Sequence, residues 1–309
     1  MARDFYVGNT DHDWFDFCKQ QENLTEVNFW QPSRQHFKAL DEGGIFFFRR
    51  KAPINKIGGF GILASAGEAS IETSWRDLGV SNGVVSKEDF IARVAKYKRS
   101  NTVDQQTVIG FKILTNPVFL EEHEWIDLPI DWANSIVSGK GYNADAIQAR
   151  GLRKLYETNR AVTSPASPPD GFGEIPTGFS YGSHSKVRKG QNAFRMRLLS
   201  AYSNRCAVTG VGAEVCLEAA HIDPYSQDQN HDVSNGILLR ADIHALFDAN
   251  LLSINTDFRI VISTRLKEIA GEGCEYLDLN GKKIRLPNAR SNWPSENKLA
   301  KHMLELLSS

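Results

Sequence analysis

LEAAHIDPYSQDQNHDVSNGILLRADIHALFDANLLSI, residues 217–254, is the stretch of this sequence that decides its fold. Val215–Ile222 has the composition of a strand, whereas Arg240–Leu246 has the pattern of a helix that begins there. Cys206–Gly210, just before the strand, predicts a turn. The region is therefore expected to follow the order strand, loop, strand, loop, helix.

A basic amphipathic helix is predicted immediately upstream. Four apolar side chains recur at helical spacing within Asn192–Tyr202: Phe194, Leu198, Leu199 and Tyr202. Residues 175–213 contain no acidic side chain. The basic side chains that we expect to face nucleic-acid phosphates are Arg188, Lys189, Arg195, Arg197 and Arg205. On the charge pattern alone, a solvated helix face remains the alternative.

Four short motifs occur in order along this region. They are RCAVTG at residues 205–210, AHI at 220–222, NGILL at 235–239 and HALFD at 244–248. Together they resemble the HNH endonuclease family. The resemblance implies a ββα-metal fold and metal-dependent hydrolysis of DNA phosphodiester bonds, with His221, Asn235 and His244 as the catalytic residues.

Each of these three side chains suits one task in phosphodiester hydrolysis. A neutral imidazole at His221 is well suited to take a proton from the attacking water. The resemblance assigns Asn235 to holding the two halves of the site together and orienting the histidine, and its amide can both donate and accept. A neutral imidazole at His244 can bind a divalent metal ion that stabilises the scissile phosphate and the leaving oxygen.

Further metal ligands are expected near His244. Asp248 lies one helical turn later, so both side chains project from one face of the helix. Many HNH nucleases carry an acidic residue or a histidine directly before the general base, but this chain has Ala220 there. Glu218, on the same strand face, is the candidate replacement, and a structural carboxylate is the alternative. Mg²⁺, Mn²⁺ or a late transition metal fits these donors better than structural zinc.

Length and composition favour two globular domains. The chain has 309 residues, of which 41% are hydrophobic and 24% charged, and its net charge of -1 gives no global preference for nucleic acid. A segment rich in Pro, Gly and Ser, residues 161–182, predicts a linker between domains of residues 1–160 and 183–309. No apolar run approaches the roughly 18 residues of a membrane helix, and no secretion signal is visible, so a cytoplasmic protein is expected.

The first domain is predicted to be α+β, with a small barrel-like sheet. The β-like runs are Ile45–Arg49, Gly59–Ser65 and Thr107–Leu114. Helical spacing marks Lys87–Arg99 and Ala144–Glu157. The four cysteines of the whole chain contain no CxxC pair and are expected to be reduced, packed thiols: Cys18, Cys206, Cys216 and Cys274.

Five segments of this domain resemble the EVE branch of the PUA-like superfamily. They are FYVGN from residue 5, VNFWQPS from 27, GGFGILAS from 58, ETSWRDLG from 72 and IGFKILTNPVFL from 109. The resemblance implies an aromatic-lined pocket for a modified or flipped base. Trp30 and Trp75 are the predicted stacking faces, with Ser33 or Asp77 to bond the base edge. A core role for either tryptophan is the alternative.

The two resemblances together imply a modification-dependent restriction endonuclease. It would flip out a modified cytosine, 5-methyl- or 5-hydroxymethylcytosine, in double-stranded DNA and cut at some distance from it. One HNH site cuts one strand, so a homodimer and two independent nicks both remain open. Two alternatives are a nuclease whose first domain reads sequence or RNA, and a non-catalytic DNA-binding protein in which Ala220 marks a degenerate metal site.

Overall fold

The structure is a computed structural model that describes residues 3–22, 24–34, 37–99, 102–163, 191–223, 232–271 and 273–308. The chain divides into two compact units, Met1–Gln191 and Asn192–Ser309. Residues 161–163 of the expected linker continue a helix, and the remainder of it lies outside the described residues. The domain limits at residues 160 and 183 therefore stay predictions.

The first unit is built on a mixed sheet. Its strands are β1 (Phe5–Thr10), β2 (Glu26–Asn28), β3 (Ile45–Arg50), β4 (Lys56–Ser70), β5 (Val108–Phe119), β6 (Ile126–Asp127) and β7 (Gly139–Tyr142). The order is β2-β5-β4-β3-β1-β7, with β6 on β4; β1 and β3 are parallel and the other pairs antiparallel. Among the described residues the end strands β2 and β7 do not pair, so this sheet is open. The α+β class is confirmed.

Four helices accompany this sheet. They are α1 (His12–Gln20), α2 (Ile71–Leu78), α3 (Lys87–Lys98) and α4 (Arg150–Thr163). The helix expected over Lys87–Arg99 is confirmed, and Ser86 caps it by accepting from the Asp89 N–H. The helix expected over Ala144–Glu157 begins only at Arg150. Ala144 lies outside the helix, where its N–H donates to the Asp4 carboxylate at 2.7 Å, and a 3-10 turn, Ile147–Ala149, precedes α4.

The central strands bury side chains on both faces of the sheet. Successive strand residues point to opposite sides, and Phe47 of β3 belongs to one core while Phe46 and Phe48 belong to the other. Leu152 of α4 packs in the first core, and Trp14 of α1 packs in the second. A strand covered on both faces reads as an unbroken apolar run, as IFFF does here.

The second unit contains the predicted ββα order. Its elements are α5 (Gln191–Ala201), β8 (Leu217–His221), β9 (Gly236–Arg240), α6 (Ala241–Asp248), β10 (Leu252–Ile254), β11 (Ile260–Ile262), α7 (Thr264–Ala270) and α8 (Glu296–Ser308). β8 and β9 are antiparallel, with His221 opposite Gly236. The expected apolar face of α5 is confirmed, since Phe194, Leu198, Leu199 and Tyr202 are all buried.

The RCAVTG turn is joined to β9 through its cysteine. The Cys206 sulfur accepts from the Thr209 N–H at 3.3 Å and from the Arg240 N–H at 3.2 Å. Cys18 and Cys206 are buried thiols as expected, whereas Cys216 is exposed. Over the described ranges, no helix has both the length and the apolar character needed to cross a bilayer.

Candidate nuclease site and candidate base cavity

His221 ends strand β8 and lies flat against an aromatic ring. Its imidazole stacks on Phe194 of α5, with 4.1 Å between ring centroids and 15° between ring planes. The register places Gly236 opposite His221, and a Cβ at Gly236 would lie 2.4 Å from the Phe194 ring. Glycine is therefore required there for Phe194 to reach the histidine. The sequence identified Phe194 only as an apolar helix position.

Asn235 fixes the chain that follows His221. Its side chain is buried, its Oδ1 accepts from the Asp223 N–H at 3.1 Å, and its Nδ2 donates to the Asp223 carbonyl at 3.2 Å. Its own carbonyl accepts from the Ile222 N–H at 2.9 Å. Lys301 of α8 holds the Asp223 carboxylate at 3.1 Å. The residues directly after His221 are thus held from two sides.

Two carboxylates flank the His244 imidazole. Glu218 of β8 accepts from Nδ1 at 2.7 Å, and Asp248, one turn later on α6, lies 3.4 Å from Nε2. The expected proximity of these three side chains is therefore present in the structure. Glu218 and Asp248 approach opposite nitrogens of one ring, so they contact different edges of His244.

Both carboxylates affect the protonation of His244. Burial disfavours the imidazolium, but the hydrogen bond from Glu218 and the charge of Asp248 outweigh burial and raise the pKa of His244. The same hydrogen bond lowers the pKa of Glu218, against the effect of burial. A proton and a metal ion cannot share Nε2, so metal binding there releases that proton.

The side chains around His244 offer two atoms that could bind a divalent metal ion directly. Within the described ranges, no group of three or more His, Cys, Asp or Glu side chains is arranged to hold an ion. His244 Nε2 and the Asp248 carboxylate form an imidazole and carboxylate pair that suits Mn²⁺ or a late transition metal. Glu218 on Nδ1 has the position of a carboxylate that orients a metal-binding histidine.

The arginines expected at the DNA backbone have different environments. Arg195 is half-buried and donates to the Leu217 and Glu214 carbonyls, so it supports the approach to β8. Arg205 is exposed and donates to the Gly210 carbonyl at 3.1 Å. Arg197 is half-buried. Arg188 and Lys189 lie outside the described residues.

A cavity of about 520 Å³ opens in the first unit, and both aromatic and polar side chains line it. The aromatic lining residues are Tyr6, Trp14, Phe29, Trp30, Phe37, Phe46 and Tyr97. Trp30 is fixed in place because its Nε1 donates to the Asn82 carbonyl at 3.0 Å. Trp14 is fixed similarly by the Asn28 carbonyl at 3.1 Å. The volume lies within the usual range of small-ligand sites.

Polar side chains interrupt this aromatic lining. They are Asn9, Asp11, Gln31, Lys38, Lys51, Arg93, Lys112 and Ser138. Asp11 accepts from the Tyr97 hydroxyl and from the Trp14 N–H. Lys112 donates to Gln31 Oε1 at 2.8 Å, and burial lowers the pKa of Lys112 to about 7. Sequence reasoning missed Lys112, whose signal is a lone cation inside an apolar strand.

The structure brings one of the four predicted base-pocket residues to this cavity, namely Trp30. Trp75 is half-buried and packs against the cluster of Ile71, Val84, Phe90, Val94 and Ile109. Asp77 pairs with Arg76 at 2.8 Å. Ser33 is exposed, and its carbonyl accepts from the Gly110 N–H at 3.1 Å. Trp75, Ser33 and Asp77 thus lie outside the cavity lining.

Residues 206–255 match the family described as HNH endonuclease. His221, Asn235 and His244 all lie inside this match, as do β8, β9 and α6. The chain therefore carries an HNH endonuclease domain, which implies a nuclease that acts on DNA. No curated protein matches the chain in sequence.

Two solved structures show a distant likeness. The first, ASCH from Zymomonas mobilis, is 12% identical with a TM-score of 0.34, and the match covers 50% of this chain and 96% of that chain. The second, described as the modification-dependent TagI restriction endonuclease, is 11% identical with a TM-score of 0.29, covering 92% of this chain and 76% of that chain.

Proposed function

We propose that this protein is a modification-dependent DNA endonuclease. Its first unit holds an extruded modified cytosine of double-stranded DNA, and its HNH domain cuts the backbone at some distance. The observation that carries the proposal is the aromatic cavity of about 520 Å³ in the unit that accompanies the nuclease domain. An extruded base needs aromatic faces to stack on and polar groups for its edge, and this cavity offers both.

His221 is the proposed general base. Phe194 fixes the plane of the His221 imidazole by stacking, so the proton-accepting nitrogen keeps one direction. Asn235 holds the Asp223 backbone and with it the end of β8 that carries His221. A neutral His221 takes the proton of the attacking water, and the 3′-oxygen leaves, so the products carry 5′-phosphates.

His244 and Asp248 are the proposed metal ligands. When bound there, a divalent ion would stabilise the charge of the scissile phosphate and the leaving oxygen. Glu218 accepts the Nδ1 proton of His244 and so keeps Nε2 available on the side of Asp248. Glu218 therefore acts in this proposal as a positioning residue.

The proposed base pocket differs from the one expected from sequence. Trp30 remains a stacking face, while Phe37 replaces Trp75 because Phe37 lines the cavity. Gln31, a polar residue of the cavity lining, takes the place of Ser33 and Asp77 at the base edge. A cavity with aromatic faces beside polar side chains supports a flipped base better than it supports duplex readout in a groove.

Cleavage of matched DNAs tests the proposal. The full-length protein is incubated with Mg²⁺ or Mn²⁺ and duplexes that differ only in one cytosine, which is unmodified or carries a 5-substituent. We expect cutting of modified duplexes, which is lost in His221→Ala and reduced in Trp30→Ala. Equal cutting of all duplexes would leave a nuclease without a modification reader. Preferential binding of structured RNA would favour an RNA-reading first unit.

A single HNH site cuts one strand, so the form of the product reports the assembly. On a modified supercoiled plasmid, two copies acting together produce linear DNA directly, and their rate rises steeply with protein concentration. Independent cuts produce nicked circles first. Accumulation of nicked circles at every protein concentration would indicate independent cuts.

A further inference from the structure

Lys112 is a buried cation in the wall of the cavity. It lies on β5, only 4% of its surface is exposed, and it belongs to the cavity lining. Its one hydrogen bond among the described residues goes to Gln31 Oε1 at 2.8 Å. An ammonium group has three N–H donors. Two donors are therefore left for a bound group.

The rest of the lining provides no counter-ion for Lys112. Asp11 is the one acidic side chain among the described lining residues. It already accepts from the Tyr97 hydroxyl and the Trp14 N–H, and Arg93 lies 4.0 Å from it. A buried charge without a partner costs free energy. A ligand that accepts hydrogen bonds from the Lys112 ammonium would offset this cost.

Backbone hydrogen bonds of the sheet fix the segments that carry Lys112 and Gln31. Gln31 exchanges backbone hydrogen bonds with Gly110, at 2.8 and 3.0 Å, and its side chain lies where a Cβ of Gly110 would be. The Phe29 N–H donates to the Lys112 carbonyl at 2.8 Å. The ammonium is 5.0 Å from the Phe37 ring centroid and 5.5 Å from that of Phe29. The donor thus stands beside two aromatic faces.

We propose that Lys112 and Gln31 form a subsite for an oxygen-bearing substituent of the extruded base, and that the subsite favours an anionic substituent. The cavity then selects an oxidised cytosine such as 5-carboxylcytosine over 5-methylcytosine. This inference rests on the function proposed above. A carboxylate accepts charge-assisted hydrogen bonds from the ammonium. A methyl group accepts none and leaves both donors unpaired, and a hydroxymethyl group falls between the two.

Equilibrium binding measures this selectivity. The full-length protein, with metal removed to prevent cutting, is titrated into duplexes that carry one cytosine, 5-methyl-, 5-hydroxymethyl- or 5-carboxylcytosine at the same place. We expect the 5-carboxyl duplex to bind at least about tenfold more tightly than the 5-methyl duplex. Lys112→Met should bring the two affinities within about twofold of each other, chiefly because the 5-carboxyl duplex binds more weakly. Lys154→Met, at an exposed lysine of α4, is the charge-matched control.

The variants also separate the subsite from the fold. Lys112→Met removes an uncompensated charge at similar volume, so its thermal stability should equal or exceed that of the wild type, and Lys112→Gln provides a second neutral variant. Equal weakening of every duplex by Lys112→Met would overturn the subsite, since the lysine would then read an edge that all cytosines share. If the wild type prefers modified duplexes but binds the 5-carboxyl duplex no more tightly than the 5-methyl duplex, the subsite is overturned and the proposed function is not. Equal binding of all duplexes by the wild type would overturn the proposed function as well.

Discussion

The His221 imidazole lies against the Phe194 ring at 4.1 Å between centroids, with the two rings nearly parallel. One residue ends a strand of the HNH domain, and the other belongs to a helix that precedes the matched region. The proposed general base therefore stacks on a side chain that lies outside the matched region. Proton transfer is sensitive to such alignment, because small displacements of a reacting group change rates strongly.

Replacing Phe194 by leucine should slow cleavage more than it destabilises the fold. Leucine keeps an apolar side chain but removes the flat face under His221. We expect kcat to fall about tenfold or more, with a stability loss of about 1 kcal/mol. Phe258→Leu, at a ring that packs on Trp293, is the matched control. Equal loss of activity in both variants would argue against an orienting role.

The buried amide of Asn235 can be tested by its conservative replacement. Asn235→Asp keeps the acceptor for the Asp223 N–H but loses the donor to the Asp223 carbonyl and places a charge beside it. We expect a loss of about 1–3 kcal/mol in unfolding free energy, together with strongly reduced cleavage. Asn297→Asp, at an exposed position of α8, should change neither quantity. An Asn235→Asp protein with full activity would exclude the proposed role.

Calorimetric titration with Mn²⁺ distinguishes the two carboxylates at His244. Asp248→Ala removes a proposed ligand and should abolish measurable binding. Glu218→Gln removes only the acceptor at Nδ1, so we expect the affinity to fall by about 10- to 100-fold with binding still detectable. If Glu218→Gln loses Mn²⁺ binding and Asp248→Ala keeps it, Glu218 is the metal ligand and Asp248 is not.

The affinity for carboxyl-bearing DNA should fall as the pH rises from about 6 to about 8. Burial lowers the pKa of Lys112 to about 7, so its ammonium is charged below that pH and becomes neutral above it. A neutral amine loses the charge-assisted bond, which corresponds to about a tenfold weaker affinity across this range. The measurement is the binding titration described above, repeated at several pH values.

Other groups of the cavity do not account for such a change. Burial raises the pKa of Tyr6 and of Tyr97, which keeps both phenols neutral. Burial opposes ionisation of Asp11, but the bonds from Tyr97 and Trp14 lower the pKa of Asp11. Lys38, Lys51 and Arg93 also line the cavity and are retained in Lys112→Met. A pH dependence that survives in Lys112→Met would therefore contradict the assignment.

Local patterns in the sequence were sufficient for α5 and for the ββα elements of the second unit, but not for the elements that follow them. The ββα order and the buried face of α5 follow from side-chain periodicity, which depends on neighbours a few residues apart. Proximity of His244 and Asp248 also follows, because residues four apart share a helix face. The start of α4 did not follow from local pattern, since side-chain spacing does not distinguish the 3-10 turn Ile147–Ala149 from the α-helix that begins at Arg150.

The amino-acid sequence alone identified the HNH endonuclease region, since the motifs around His221, Asn235 and His244 lie within the matched residues 206–255. Tertiary structure alone decided that Phe194 lies on His221, that Glu218 meets Nδ1 of His244, and that Lys112 rather than Asp77 lines the cavity. The physical reason is that such contacts depend on strand register and packing between segments far apart in the chain, and neither leaves a periodic signal in the local sequence.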